Sequence, residues 1–309
     1  MHPAVERLPR APGVYRFRGS GTTVLYVGRA VDLRRRVASY WSDLRGRRHL
    51  RRMVPRIERV EVVACDSAHE AAWLERNLLE HSLPRWNRTR GEEVPVYLRL
   101  DGSPRSPGLS VVHRVRSGNA VVHFGPYLGS AKAELAVAGL SRVLPIAYAG
   151  EGLRGSEADL GRVLGVGALD RTALLDRLTR TLERDPAAGD QVRLELCLRR
   201  DEAARALAYE RAGQLQTELE ALDWVLSEQK ATTLEPTILD VAGWSQGLLV
   251  IFEIRDGRLR AWSQRPCSRA QAQPFLDATP PAWADFADRN ASLAAETASL
   301  CPISGKNLA

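Results

Sequence analysis

Alternating hydrophobic and polar residues near the start of the chain predict a β-hairpin, followed by a helix, a strand and a second helix. Between the two hairpin strands, the sequence Arg-Gly-Ser-Gly over residues 18–21 favours a turn. Ser67 and Glu70 have the spacing of a capping box and predict the start of the second helix. The predicted elements are strands over 13–17 and 22–27, a helix over 33–44, a strand over 57–64 and a helix over 71–81.

The rest of the chain has a different pattern. Short strands are predicted over residues 94–100, 109–115 and 121–124, in a segment with many Gly and Pro residues. Residues 170–229 are almost wholly helical in pattern, and leucines at helical spacing predict the packing seam of a helical hairpin. Two further β-rich runs, over residues 248–254 and 259–262, are joined by a turn sequence. The leucines of the seam are Leu194, Leu198, Leu207, Leu215, Leu219 and Leu222.

These elements predict an α+β protein in which a small three-stranded antiparallel sheet has flanking helices. A helical hairpin region and a small β-containing domain follow it. The predicted domains are residues 1–97, a connecting segment over 98–165, a helical segment over 166–229 and a small C-terminal α/β domain over 230–309.

Composition and charge exclude several classes of protein. The chain of 309 residues is 44% hydrophobic, and no apolar run is long enough to span a membrane. Its four cysteines lie far apart, so neither zinc nor an iron–sulfur cluster is expected and a reducing cytoplasm fits best. Residues 1–100 carry a net charge of +9, whereas the remainder sums to −2. This local excess of positive charge is typical of a domain that binds nucleic acid.

Several polar residues of the first domain lie where packing alone would not put them. Tyr15 and Tyr26 lie on the two predicted hairpin strands, and Arg36 and Tyr40 share the inward face of the first helix. Glu75 lies on an apolar helix face, where burial would raise the pKa of its carboxyl group unless a positive charge compensates. A divalent cation of the Mg²⁺ type is a natural candidate for that charge.

These residues lie in strings that resemble the GIY-YIG nuclease domain, and more closely the amino-terminal domain of UvrC proteins of bacterial nucleotide excision repair. Two tyrosines, an arginine, a glutamate and an asparagine in this order make a specific signal. The strings are Pro-Gly-Val-Tyr at 12–15, Leu-Tyr-Val-Gly-Arg-Ala at 25–30, Asp-Leu-Arg-Arg-Arg-Val-Ala-Ser-Tyr at 32–40, Glu-Ala-Ala-Trp-Leu-Glu-Arg-Asn-Leu at 70–78 and Pro-Arg-Trp-Asn at 84–87.

The resemblance implies a role for each residue of this set. Glu75 would bind a single Mg²⁺ or Mn²⁺ ion, and Tyr26 would be the general base for the attacking water, with Tyr15 beside it. Because a free tyrosine is a poor base at neutral pH, we expect nearby Arg36 or Arg29 to lower the pKa of this phenol.

The remaining members of the set would support these groups. Arg36 would also stabilise charge on the phosphoryl oxygens, and Tyr40 and Asn87 would complete the hydrogen bonding. The family usually has lysine where this chain has Arg29, which keeps the charge but cannot transfer a proton.

The similarity to UvrC continues more weakly. Phe-Gly-Pro-Tyr at residues 124–127 matches a short motif of the family, and residues 194–226 resemble the UVR motif through which UvrC contacts UvrB. That motif is degenerate, since Tyr209 stands where a Phe is usual. In the family, an RNase H-like nuclease domain and tandem helix-hairpin-helix motifs follow, and residues 230–309 are too few for both. The resemblance therefore implies a single incision, on the 3′ side of damaged DNA.

Two other functions stay open. The chain could be a GIY-YIG nuclease that acts outside excision repair, or a non-catalytic adaptor that binds DNA. Glu75 could also be an ordinary carboxylate paired with an arginine of another element. His113 and His123 have no acidic or cysteine neighbours in sequence and are interpreted as structural.

Overall fold

The structure is a computed structural model that describes residues 3–21, 23–42, 45–88 and 93–298. The strands are β1 (Gly13–Arg18), β2 (Val24–Ala30), β3 (Arg59–Ala64), β4 (Pro95–Asp101), β5 (Gly108–Val112), β6 (Val121–Leu128), β7 (Leu239–Ser245), β8 (Leu248–Arg255) and β9 (Arg258–Pro266). The helices are α1 (Pro3–Glu6), α2 (Leu33–Ser42), α3 (Ala68–His81), α4 (Ser130–Val143), α5 (Ser156–Leu164), α6 (Arg171–Leu182), α7 (Pro186–Arg205), α8 (Tyr209–Leu226), α9 (Arg269–Asp277) and α10 (Pro281–Ala298). The predicted α+β class is confirmed.

The chain packs into two compact units. Residues 1–92 and 228–309 form the first, and residues 93–227 form the second. The C-terminal residues therefore return to the nuclease-like sheet at the start of the chain. The predicted division into four domains stays a prediction, because it rests on sequence pattern and not on packing.

A three-stranded antiparallel sheet with strand order β2-β1-β3 forms the centre of the first unit. Its middle strand β1 is buried along almost its whole length, since Tyr15 and Phe17 pack against the apolar stripe of α2 on one face. The predicted elements are present with small shifts. The second strand begins at Val24 and the helix ends at Ser42, while Thr22 and Leu44 lie outside the described residues.

The second sheet of this unit has strand order β7-β8-β9 and is also antiparallel. The predicted hairpin corresponds to β8 and β9, which are joined at Asp256 and Gly257, where both backbones have positive φ angles of 52° and 67°. The sequence pattern did not predict β7, which pairs with β8 along all seven of its residues. A cation–π contact joins the two sheets, since the Arg16 guanidinium lies 3.8 Å from the ring centroid of Trp262.

Helix α10 closes the free edge of β3. The Asn290 side chain accepts a hydrogen bond of 2.7 Å from the Ala64 backbone N–H and donates one of 3.1 Å to the Ala64 carbonyl. Asn290 is 1% exposed, so these bonds replace the water that an open sheet edge would otherwise bind.

Three polar side chains of α3 and its cap hold the segment that leads into the second sheet. Ser67 caps α3 by accepting from the Glu70 N–H, as predicted, and its hydroxyl also donates to the carbonyl of Glu228. The Glu70 carboxylate accepts from the backbone N–H of Lys230 at 2.7 Å. Asn77 donates to the carbonyl of Ala231. The helix that carries Glu75 is therefore tied to residues from the far end of the chain.

The second unit places a sheet of order β5-β4-β6 against a group of helices. Val96, Leu98 and Leu100 of β4 point into a core that α4, α7 and α8 complete. Half of the predicted leucine seam is wrong. Leu215, Leu219 and Leu222 of α8 are buried, as predicted. In α7, Val192, Leu196 and Ala203 point into the core instead, and the other three predicted leucines are exposed. Those exposed leucines are Leu194, Leu198 and Leu207.

In the part of the chain that the structure covers, no helix is both long enough and apolar enough to cross a membrane. Cys65, Cys197 and Cys267 are free thiols there, while Cys301 lies outside the described residues.

We expect Asn290→Ala to lower the free energy of unfolding by about 2 kcal/mol, because it leaves the buried N–H and carbonyl of Ala64 without partners. Urea denaturation of the full chain measures this change. Ser292→Ala on the exposed side of α10 is the matched control and is expected to change little. Equal stability of the two variants would contradict a role for Asn290 at the edge of β3.

Candidate active site

Three tyrosine rings meet between the first sheet and α2. Tyr15 projects from β1, Tyr26 from β2 and Tyr40 from the last turn of α2. Their ring centroids lie 5.8 to 6.3 Å apart, and the hydroxyls of Tyr15 and Tyr40 share a hydrogen bond of 2.7 Å. Tyr15 and Tyr40 are almost completely buried, whereas Tyr26 is only partly buried. Tyr26 is therefore the phenol of this group that a substrate can reach.

The close approach of these rings depends on Gly28. Tyr15 and Gly28 are direct partners across β1 and β2. A Cβ atom at position 28 would lie 2.5 Å from the Tyr15 hydroxyl and 2.8 Å from the ring of Tyr26. Any side chain here would push the phenols apart. Steric crowding therefore explains why a glycine follows Tyr26 and Val27 in the motif. Sequence reasoning quoted Gly28 but gave it no role.

Arg36 contributes the positive charge of the cluster. It lies one turn before Tyr40 on α2, and its Nε–H donates to the Tyr15 hydroxyl at 3.3 Å. Partial burial works against the charged form, but the phenols of Tyr15 and Tyr40 outweigh it and raise the pKa of the guanidinium. Arg36 is half-buried, so it keeps a permanent charge at the edge of the cluster.

The pKa values of Tyr15 and Tyr26 are raised, whereas the sequence predicts that a nearby arginine lowers the pKa of the Tyr26 phenol. Burial raises the pKa of Tyr15 to about 12, although Tyr40 and Arg36 act in the opposite direction. Burial, Tyr40 and the negative charge of Glu75 raise the pKa of Tyr26 still further, and Arg36 offsets only part of this. The predicted lowering by arginine is present but smaller than the cost of desolvating a phenolate.

Glu75 lies within electrostatic reach of Tyr26 and contacts Arg29. Its Oε1 accepts a hydrogen bond of 3.1 Å from the Arg29 backbone N–H, and its Oε2 lies 3.3 Å from the Arg29 Nε. The Glu75 side chain is 22% exposed and that of Arg29 is 42% exposed. The partner of Glu75 thus comes from β2 and not from its own helix, so the ion pair considered from sequence is present. The charge of Glu75 also acts on Tyr26, a member of the tyrosine cluster, which favours a functional carboxylate.

Asn87 acts on the backbone that carries these groups. Its Oδ1 accepts from the Val27 N–H at 3.0 Å, and its Nδ2 donates to the Val27 carbonyl at 2.8 Å. The asparagine side chain therefore pairs with the edge strand β2 as a neighbouring strand would. Asn87 is a positioning residue, because both of its polar atoms are used on the main chain between Tyr26 and Gly28.

The side chains present fit a single hard divalent cation. Glu75 offers a partly exposed carboxylate, and the neighbouring phenols and water offer further oxygen atoms, which are the donors that Mg²⁺ and Mn²⁺ prefer. Within residues 3–21, 23–42, 45–88 and 93–298, no group of three or more His, Cys, Asp or Glu side chains could hold a metal. The candidate centre is thus built on one carboxylate.

All seven residues predicted for the site lie in the first unit, where their contacts form three groups: the tyrosines with Arg36, Glu75 with Arg29, and Asn87 with the backbone of β2. Their individual catalytic roles stay predictions. The seven residues are Tyr15, Tyr26, Arg29, Arg36, Tyr40, Glu75 and Asn87.

Comparison with known proteins agrees with this geometry. Residues 11–88 match the sequence family described as the UvrC-like GIY-YIG domain. UvrABC system protein C of Geobacter metallireducens is 39% identical over 146 residues, which cover 47% of this chain and 24% of that protein. The same protein of Desulforudis audaxviator is 31% identical over 276 residues, which cover 84% of this chain and 44% of that protein. The chain therefore spans less than half the length of these relatives.

A solved structure shows similarity to the same region. The GIY-YIG N-terminal endonuclease domain of UvrC from Thermotoga maritima, bound to magnesium, is 27% identical. It covers 28% of this chain and all of that domain, with a TM-score of 0.25. The predicted resemblance to UvrC-like GIY-YIG proteins is confirmed by the family match over residues 11–88 and by relatives that match most of this chain.

We expect Arg29→Ala to increase the affinity for Mn²⁺ by about five- to tenfold, because it removes a competing cation from Glu75 Oε2. Isothermal titration calorimetry of the full chain without DNA measures this affinity. Glu75→Ala is the control and is expected to abolish the binding. Weaker Mn²⁺ binding by Arg29→Ala would show that Arg29 supports the metal site and does not compete with it.

Proposed function

Because residues 11–88 are a UvrC-like GIY-YIG domain, we propose that this chain is a metal-dependent DNA endonuclease of nucleotide excision repair. It makes a single incision, on the 3′ side of the lesion. One observation supports this proposal most directly: three phenols and one guanidinium meet in the first unit, and the charge of a partly exposed carboxylate acts on one of these phenols. Such a set offers a metal ligand, a proton acceptor and a positive charge for phosphodiester hydrolysis.

Glu75 is the residue that would hold the divalent cation. When bound, the cation supplies a Lewis acid for the scissile phosphate and the leaving oxygen, and its charge offsets the carboxylate that raises the pKa of Tyr26. The Glu75 carboxylate is kept in place by the Arg29 backbone N–H at 3.1 Å. Because this bond uses the main chain, it does not depend on the side chain at position 29.

Tyr26 is the phenol best placed to accept the proton of the attacking water, which it would do as a phenolate after giving its own proton to solvent. It is the only one of the three tyrosines that is not almost completely buried, and the charge of Glu75 reaches it. Tyr15 and Tyr40 orient it through ring packing and through their shared hydrogen bond of 2.7 Å. Asn87 holds the strand that carries Tyr26.

Arg36 stabilises the negative charge that develops on the phosphoryl oxygens. Its Nε is occupied by the Tyr15 hydroxyl, which leaves the other nitrogens of the guanidinium fork for a phosphate. Arg29 keeps a second positive charge near the same position. Both arginines act electrostatically, through the charge of their guanidinium groups.

The place of the chain in repair is a further part of the proposal. The hairpin of α7 and α8 exposes apolar side chains near its tip, since Leu207 and Tyr209 are each 69% exposed, and Leu194 and Leu198 of α7 are more than half exposed. Exposed apolar residues on a rigid hairpin are typical of a docking surface. We propose that residues 194–226 bind UvrB there.

The compartment is also part of the proposal. The free thiols described above fit the reducing cytoplasm.

Nicking of an end-labelled duplex that carries one bulky adduct tests the proposed function. Wild type and Glu75→Ala are compared in Mg²⁺ or Mn²⁺, with and without the UvrA–UvrB complex. We expect one nick on the 3′ side that needs both the complex and Glu75. DNA affinity of Glu75→Ala should stay near that of wild type, because its carboxylate does not attract DNA.

Each other outcome selects a different function. Nicking that needs Glu75 but not the complex would indicate a GIY-YIG nuclease outside excision repair. Nicking by Glu75→Ala would contradict the metal role of this residue. No nicking in any condition, with DNA binding intact, would support the non-catalytic adaptor.

We expect Arg36→Ala to slow cleavage by about 100- to 1000-fold, as for other groups that stabilise a transition-state charge. Arg35→Ala is the matched control, because Arg35 is an exposed arginine on the same helix and is the immediate neighbour of Arg36. Single-turnover rates of the two variants measure the difference. A loss of only a few-fold in Arg36→Ala would move this role to another residue.

A further inference from the structure

The second unit has a polar sheet face that the proposed catalytic function does not use. Burial alternates along strand β4, so Val96, Leu98 and Leu100 face the core while Tyr97, Arg99 and Asp101 face the other way. On β6, His123 is the direct partner of Arg99 and faces the same way. One face of this sheet is therefore packed and the other is open, with basic side chains on the open side.

The loop between β5 and β6 adds charge to this face. His113, Arg114 and Arg116 lie in the connection that follows β5, and all three are exposed. Together with Arg99 and His123 they line a cavity of about 570 Å³ whose apolar floor includes Val112 and Val121. We call the five basic residues Arg99, His113, Arg114, Arg116 and His123 the basic sheet face.

Acidic side chains are absent from the lining of this cavity in the described structure. In sequence, no Asp or Glu occurs between Asp101 and Glu134, although this stretch contains three arginines and a lysine. Asp101 is the nearest carboxylate along the strand, and it is paired with Arg99 at 2.5 Å. Among the described residues, Arg114 and Arg116 pair with no carboxylate. Two arginines of the basic sheet face thus have charge available for an anionic partner.

The positive charge of the basic sheet face also affects the pKa of His123. Partial desolvation and the positive charge of Arg99 lower the pKa of this imidazole. Its Nε2 is shielded from solvent and has no hydrogen-bond partner in the described structure. An anion bound beside Arg99 would reverse the direction of this electrostatic effect.

We propose that the basic sheet face binds the phosphate backbone of DNA and so holds the substrate of the proposed nuclease. The inference rests on the proposed function, since it names a second contact with the same DNA. The cations are spread over an open face and a loop, which suits successive phosphates of a strand better than one small anion.

The chemistry of the catalytic cluster supports a separate contact for the backbone. Arg29 is paired with Glu75, and Arg36 is bonded to Tyr15, so both cations near the phenols are partly engaged. Binding of DNA through its phosphates requires several cationic side chains that are free to replace the counterions of the DNA. Arg114 and Arg116 meet this requirement.

The test is the affinity of the full chain for a short fluorescein-labelled DNA duplex, measured by fluorescence anisotropy in EDTA so that no cleavage occurs. The double variant Arg114→Ala/Arg116→Ala is compared with Arg154→Ala/Arg162→Ala, which removes the same charge from two other exposed arginines of the second unit. We expect the first to weaken binding by about three- to tenfold and the second to change it less than twofold. All four side chains are exposed, so thermal unfolding should be unchanged.

The salt dependence gives an independent readout. Each phosphate contact adds about 0.9 to the steepness of log affinity against log salt concentration. The slope of Arg114→Ala/Arg116→Ala should therefore be smaller than that of wild type by roughly 1.8, while the control pair keeps the wild-type slope.

Three results would overturn the inference. The first is equal affinity and slope for the two double variants, and the second is no measurable DNA binding by wild type. The third is that the Arg114→Ala/Arg116→Ala variant binds anionic phosphatidylserine vesicles less well than wild type does, but binds DNA equally well. That result would assign the face to a membrane surface.

Failure here is distinct from failure of the proposed function. Glu75-dependent nicking with no effect of Arg114 and Arg116 on affinity would reject only the basic sheet face. Loss of affinity in the Arg114→Ala/Arg116→Ala variant, without nicking by wild type, would reject only the nuclease.

Discussion

A sheet of three strands has two open edges, and the candidate site depends on how this protein closes both. Asn87 pairs with the backbone of Val27 at the edge of β2, and Asn290 pairs with that of Ala64 at the edge of β3. Each side chain offers one donor and one acceptor, as a neighbouring strand does. The first of these bonds lies between Tyr26 and Gly28, so closing the edge also sets the position of the phenol that a substrate can reach.

Most of the first sheet follows from local pattern, whereas the full membership of the site is what the resemblance to the GIY-YIG family implies. Strand alternation turns Tyr15 inward, and helical spacing puts Arg36 and Tyr40 on one face, so residues far apart in sequence can be assigned to one place. The contribution of the C-terminal residues cannot be obtained in this way. Asn290 and Ala64 are 226 positions apart, and neither the periodicity around α10 nor that around β3 carries information about the other.

The electrostatics of the site likewise has one part that the local sequence predicts and another that depends on tertiary packing. The sequence predicts that arginine lies near the phenols, and Arg36 does contact Tyr15. It does not predict the direction of the pKa shift of Tyr26, because that shift is the difference between burial and several charges of both signs. Likewise, arginine at position 29 is visible as a departure from the family's lysine, but its ion pair with Glu75 depends on the packing of α3 against β2.

Net charge was a poor guide to the second unit for a related reason. Residues 101–309 sum to −2, a value that predicts no polyanion partner, yet the segment between Asp101 and Glu134 holds only positive charges. The acidic residues that cancel them lie elsewhere in the chain, and potentials at a surface decay within about 10 Å at moderate salt, so distant carboxylates do not neutralise Arg114 or Arg116. His113 and His123 were interpreted as structural because no metal ligand stood beside them. That interpretation stays untested, and the proposal adds a second role, because the lining around both imidazoles contains basic side chains and no carboxylate.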